Sequence, residues 1–193
     1  MSKNRFSARR IAMNAVLIAV YFALSYLSAE LSGVKISFEA LPVTLAAVLF
    51  GPIDGMLAGL LGELLTQILK YGVTATTALW ILPPALRGLL IGFGTLLFFK
   101  KTGVRAFAEH KKTAAYFAVC AFAAVLTSLG NTMVYYLDSV IYGYYQYALI
   151  FGVALIRIGV NVLFSILMAI AAIPVMLALS KAGLTAPRPK TDV

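Results

Sequence analysis

Long apolar runs separated by short polar segments set the pattern of this chain. The runs extend from about Ile11 to Ala29, Ala40 to Phe50, Met56 to Leu69, Pro83 to Phe99, Thr113 to Leu137 and Ala148 to Leu179. A helix needs roughly 20 apolar residues to cross the hydrocarbon core of a bilayer, so the pattern predicts six membrane spans. The second run is short. Pro42 is tolerated in a first helical turn and Gly51-Pro52 stops the run, so this span is short, tilted, or extended at its start by Phe38 and Glu39. Ile53-Asp54-Gly55 predicts a tight turn before the third span. Pro83-Pro84 suits a helix start, where amide donors have no intrahelical partner, and Pro174 predicts a kink in the last span.

The polar segments fall into two sets. Glu30–Glu39, Lys70–Thr77 and Asp138–Tyr147 alternate with a basic segment at 100–112 and with the two chain ends. Lys3, Arg5, Arg9, Arg10, Lys100, Lys101, Arg105, Lys111, Lys112, Lys181, Arg188 and Lys190 all lie on the side of the chain ends; only Lys35 and Lys70 fall on the other. Cytoplasmic loops carry the excess of Lys and Arg, so both termini are expected in the cytoplasm and the aromatic-rich segments outside.

Composition agrees with this picture. The chain has 193 residues, 62% of them apolar and 12% charged, against about a quarter charged in a soluble domain. The net charge of +9 would point to nucleic acid in a soluble protein, but here it sits between apolar runs as an orientation signal, and no nucleic-acid partner is expected. The first run lacks a short apolar core ending in a small-residue cleavage site, so no signal peptide is expected. One cysteine, Cys120, and one histidine, His110, exclude an intrachain disulfide and make a metal site unexpected. The reading is an all-α integral membrane protein, one domain over residues 1–193, in contact with lipid and without a soluble catalytic module.

Polar groups inside the spans carry the candidate chemistry. Glu63, Arg87, Asn131, Arg157 and Asn161 each cost free energy in hydrocarbon, about 2–3 kcal/mol for a charge, so they should face the bundle interior. At 1.5 Å per residue, Arg87 lies roughly 5 Å below the outer end of its span and Glu63 and Asn131 roughly 10 Å down. Arg157 lies roughly 36 Å from Lys181, also in the outer half. Gln67, Tyr135 and Asn161 follow Glu63, Asn131 and Arg157 at i, i+4, on the same helix faces. The set predicts a pocket open to the outside with aromatic walls and few polar anchors. Two arginines against one glutamate leave a positive surplus, suited to a carboxylate or the acceptor edge of a heterocycle. The plainer alternative is a Glu63–Arg87 or Glu63–Arg157 ion pair that only fixes packing. Trp80 is either an interfacial anchor or a stacking group. Ala15, Ala19 and Ala23, with Ala12 and Ser25 nearby, leave a flat helix face for close packing, either within the bundle or against a partner.

No nucleophile–base pair or paired carboxylates reach the pocket level, so no catalytic residue is assigned and no cofactor is expected. The asymmetric spread does not suit a channel, and no internal repeat suggests a self-sufficient transporter.

Glu39-Ala40-Leu41-Pro42-Val43, then Leu49-Phe50-Gly51-Pro52 and a glycine-rich third run, resembles the S components of energy-coupling factor vitamin transporters. Thr76 to Gly88 is similar to the folate branch of that family. The resemblance to S components covers nearly the whole chain, in six-span length and in the order of segments. The resemblance implies a prokaryotic plasma-membrane subunit that binds a vitamin, folate first, from outside, or failing that another vitamin or nucleobase-like heterocycle. It implies docking, through Ala15, Ala19 and Ala23, on a transmembrane coupling subunit served by two cytoplasmic ATPases. Polar contacts would come from Glu63, Gln67, Arg87, Asn131, Arg157 and Asn161, with stacking by Phe38, Trp80 and Tyr135. A small structural membrane protein is the reading of a different class.

Overall fold

The computed structural model describes residues 8–31, 34–99, 107 and 110–182; Lys3, Arg5, Lys100, Lys101, Arg105, Arg188 and Lys190 lie outside them. Helix α1 (Ala8–Leu27) leads into a two-stranded antiparallel hairpin, β1 (Ala29–Leu31) and β2 (Val34–Ile36), with Ala29 opposite Ile36. Helices α2 (Ala40–Phe50) and α3 (Pro52–Thr66) follow, and a π turn over Gln67–Tyr71 extends α3. The short α4 (Thr77–Trp80) precedes α5 (Leu82–Phe99), then come α6 (His110–Tyr142), a second π turn over Ala148–Gly152, and α7 (Ala154–Lys181). Among the described residues, four stretches are long and apolar enough to cross a membrane: Ala8–Leu27, Thr77–Phe98, Lys111–Tyr142 and Ala154–Lys181.

Two boundaries differ from the sequence reading. The chain does not turn at Ile53-Asp54-Gly55. Gly51 turns it alone at φ 111°, and Pro52 starts α3 directly, placing Asp54 in the first helical turn. A proline already has the helical φ and lacks the amide that a first turn leaves unpaired, so no further turn residues are needed. The outer segment from Asp138 is also shorter than expected, because α6 continues through Asp138 to Tyr142. Gly143 at φ 75° ends it, and the Tyr144 amide closes back on the Ser139 carbonyl at 3.0 Å, the 6→1 bond of a glycine-terminated helix. Pro174 lies inside α7.

The short α2 is explained by its position. Every residue from Pro42 to Phe50 is buried, with α1, α3, α5 and α7 packed around it, so lipid thickness does not set its length. The glycines of the third run let α3 and α5 touch backbone to backbone. A Cβ on Gly88 would stand 2.0 Å from the Gly55 carbonyl oxygen, and one on Gly59 2.3 Å from that of Pro84. On α1 the inward face is Asn14, Leu17, Tyr21 and Ser25, whereas Ala15, Ala19 and Ala23 are exposed. Among the described residues, therefore, the small-residue face is not covered by the bundle.

A polar cluster ties the start of α1 to the α2–α3 turn. The fully buried Asp54 carboxylate accepts from Arg10 Nε at 3.0 Å, forms an ion pair with Arg10 Nη2 and accepts from Asn14 Nδ2; Arg10 Nη2 also reaches the Phe50 carbonyl at 2.9 Å. Breaking a buried pair by removing one partner leaves a charge uncompensated. Arg10 can still turn partly to water, so Asp54→Leu is expected to lower stability by about 2 kcal/mol, a fall of roughly 4–8 °C in melting temperature in detergent. A melting curve superimposable on the wild type would show that the cluster holds nothing.

Candidate functional site

Successive long helices run in alternating directions, so the end of α1, the start of α2, the end of α3, the start of α5, the end of α6 and the start of α7 meet on one side. They enclose a cavity of about 390 Å³, away from the Arg10–Asp54 cluster. Pocket volumes for small molecules fall at roughly 300–1,000 Å³.

Each wall brings its own chemistry. From α3, Glu63 accepts from the Tyr21 hydroxyl of α1 at 2.7 Å and from Gln67 Nε2 at 2.7 Å. Gln67 opens the π turn, a widened helical geometry that recurs at functional sites. From α5, Arg87 enters one turn after Pro84 and is 6% exposed. Its Nη2 donates to Asn161 Oδ1 at 2.6 Å, and Asn161 Nδ2 donates onward to Ser128 Oγ at 2.6 Å. Arg87 Nε is buried and meets no acceptor among the described residues. From α7, Arg157 donates to Thr132 Oγ1 at 3.1 Å and its guanidinium lies 5.3 Å from the Tyr135 ring centre, within cation–π range. Trp80 stands edge-on to Tyr135 at 5.8 Å, and Tyr135 edge-on to Tyr144 at 6.4 Å.

Eight of the residues singled out from the sequence, Glu63, Gln67, Trp80, Arg87, Asn131, Tyr135, Arg157 and Asn161, line this cavity. Phe38 does not; it packs edge-on against Phe164 at 6.0 Å, while its neighbours Ser37 and Glu39 reach the wall. Sequence reasoning missed Tyr21, Glu39 and Asp138 as lining residues. Tyr21 lies seven residues after Asn14 on α1, a spacing that keeps both on one face; Asp138 was hidden by its assignment to a loop. The additional carboxylates correct the charge balance. Glu39, Glu63 and Asp138 line the cavity together with Arg87 and Arg157, so the two arginines do not stand against a single carboxyl group and the site offers acceptors as well as donors. At the rim, partial desolvation pushes the Tyr144 phenol above its ordinary range, aided by its bond to Asp138.

The family model described as ECF-type riboflavin transporter, S component, matches residues 5–181. Two relatives named UPF0397 protein align over part of the chain. The one from Leuconostoc citreum (strain KM20) is 35% identical over 92 residues, covering 46% of this chain and 48% of its own. The one from Clostridium perfringens (strain SM101 / Type A) is 30% identical over 97 residues, covering 49% and 51%. The chain thus spans about half the length of these curated relatives. A solved structure described as "Structure and mechanism of the S component of a bacterial ECF transporter" is alike in fold, with a TM-score of 0.53 at 17% identity over 90% of this chain and 94% of that one. Since the family model runs from before α1 to the last residue of α7, the chain belongs to the family of S components of ECF-type riboflavin transporters.

Proposed function

We propose that this chain is a membrane subunit that captures a planar heterocyclic vitamin, a flavin first, from the outer face. The observation that carries the reading is Arg87, a buried guanidinium on the cavity wall whose Nε lacks an acceptor among the described residues. A buried donor left unmade costs free energy that a ligand acceptor recovers on binding. Three carboxylates beside two arginines favour a neutral ligand with alternating donors and acceptors, such as the pyrimidine edge of a flavin, with Trp80 and Tyr135 available to stack on the ring. Folate is the second reading; it is favoured by the Thr76–Gly88 resemblance and by the unmet Arg87 donor, which a glutamyl carboxylate would take. Titration of the detergent-purified protein with riboflavin, followed by loss of flavin fluorescence, is expected to give submicromolar binding. Direct binding of radiolabelled folate with no riboflavin signal would reverse the order.

In this reading six elements span the membrane, α1, α2, α3 with its π turn, α5, α6 and α7, with both termini cytoplasmic in a prokaryotic plasma membrane. The placement of Arg9, Arg10, Lys111, Lys112 and Lys181 at helix ends away from the cavity supports that orientation. The exposed Ala15, Ala19 and Ala23 would meet a transmembrane coupling subunit that joins two cytoplasmic ATPases. Ala19→Trp, which adds bulk to an exposed face of α1, should reduce vitamin uptake in cells by about tenfold or more while ligand affinity stays unchanged. Normal uptake by this variant would remove the docking role.

A further inference from the structure

Three donors from two separate segments converge on one carboxylate at the rim of the cavity. Asp138 Oδ1 accepts from Thr76 Oγ1 and, at 3.4 Å, from Trp80 Nε1, and Oδ2 accepts from the Tyr144 hydroxyl. Beside them the Ala75 amide donates to the Tyr142 hydroxyl at 3.1 Å. Thr76 and Trp80 belong to the segment between the first π turn and α5, Tyr144 to the segment after α6. Asp138 itself sits near the carboxyl end of α6, where a negative charge is disfavoured by the helix dipole. The helix gains nothing from an aspartate there, whereas charge-assisted bonds from outside the helix do stabilise it. Trp80 is thereby held from two sides, by Asp138 at its indole N–H and by the edge of Tyr135 at its ring.

We propose that Asp138 is a positioning residue that clasps the Thr76–Trp80 segment to the end of α6, holds Trp80 at the cavity wall and so sets the residence time of the bound ligand. The clasp stands on the chain's own contacts; its effect on residence time rests on the ligand reading above. Trp80 is the single tryptophan of the chain, so its emission reports on the clasp with no ligand present.

The test uses the full-length protein in detergent. In Asp138→Leu, Trp80 should become more accessible to acrylamide quenching and its emission should shift to the red. Thr76→Val and Tyr144→Phe, which remove one donor each, should shift it less, and Asp138→Asn, which keeps an acceptor, should restore most of the wild-type signal. With riboflavin bound, dissociation from Asp138→Leu followed by stopped flow should be about tenfold faster, the loss expected for one charge-assisted hydrogen bond. Quenching equal to the wild type in folded Asp138→Leu would overturn the clasp. Raised quenching with an unchanged dissociation rate would overturn its effect on residence. If even the wild type takes up no riboflavin, the flavin reading fails and the quenching series alone decides the clasp. Should Asp138→Leu not fold, the Thr76→Val/Tyr144→Phe double variant carries both measurements.

Discussion

Arg87→Met is expected to weaken ligand binding by roughly 30- to 3,000-fold, the range for truncating one partner of a buried hydrogen-bonded charge, while the protein remains folded. The two halves of that expectation have different causes. Binding falls because the unmet Nε and the Asn161-directed Nη2 belong to one planar fork on the cavity wall. A methionine leaves the ligand acceptor unpaired and frees Asn161 from the orientation that Arg87 and Ser128 impose on it. Folding survives because a buried guanidinium carries a large desolvation cost, which an apolar side chain of similar length does not. Arg87→Lys should not rescue binding, since an ammonium cannot reproduce a planar fork. Fluorescence titration beside a melting curve separates the two effects. An affinity within about threefold of wild type would correspond to less than about 1 kcal/mol and would remove Arg87 from the ligand site.

Gly88→Leu should act the other way, on the fold rather than the ligand. The first added carbon would lie 2.0 Å from the Gly55 carbonyl oxygen and 2.6 Å from the Met56 amide nitrogen, both backbone atoms of α3. A flexible side chain could swing aside; a helix backbone cannot, so α3 must move off α5. Overpacking of this kind costs about 3 kcal/mol or more, a fall of roughly 6–12 °C in melting temperature for a chain of this size, with loss of the ordered cavity that both helices line. Gly159 supplies the control. An added Cβ there meets nothing within 4 Å, and alanine favours an interior helical position by about 1 kcal/mol over glycine, so Gly159→Ala should be neutral or slightly stabilising. Equal melting of the Gly88 and Gly159 variants would mean that α3 and α5 do not depend on close backbone contact.

The particular residues show what could be read in advance. Arg87, Arg157 and Glu63 were legible as interior groups because the cost of placing a charge in hydrocarbon depends on the residue and its depth, both countable along the chain. Pro83-Pro84 marked the start of α5 to within one residue for an equally local reason. Phe38 was misplaced because it lies at the junction of the β hairpin and α2, where a change of one residue moves a side chain to the opposite wall: Ser37 and Glu39 reach the cavity and Phe38 turns to Phe164. Asp138 was read as a loop residue because an acid beside aromatics resembles a boundary. Its donors come from residues 6, 58 and 62 positions away in sequence, and no local pattern contains them together.

The order and number of apolar runs, and with them the expected sidedness of the basic residues and the expected depth of the charges within the runs, came from the sequence alone, because transfer from water to hydrocarbon is scored residue by residue. The tertiary structure decided which face of each helix looks inward. It turned Ala15, Ala19 and Ala23 outward, buried Asp54 against Arg10, and brought Glu39 and Asp138 into the same cavity as the two arginines. Helix rotation and crossing are set by close packing between elements distant in the chain, above all the glycine contacts of α3 and α5. The balance of charge in the site, and with it the class of ligand proposed, follows from that packing.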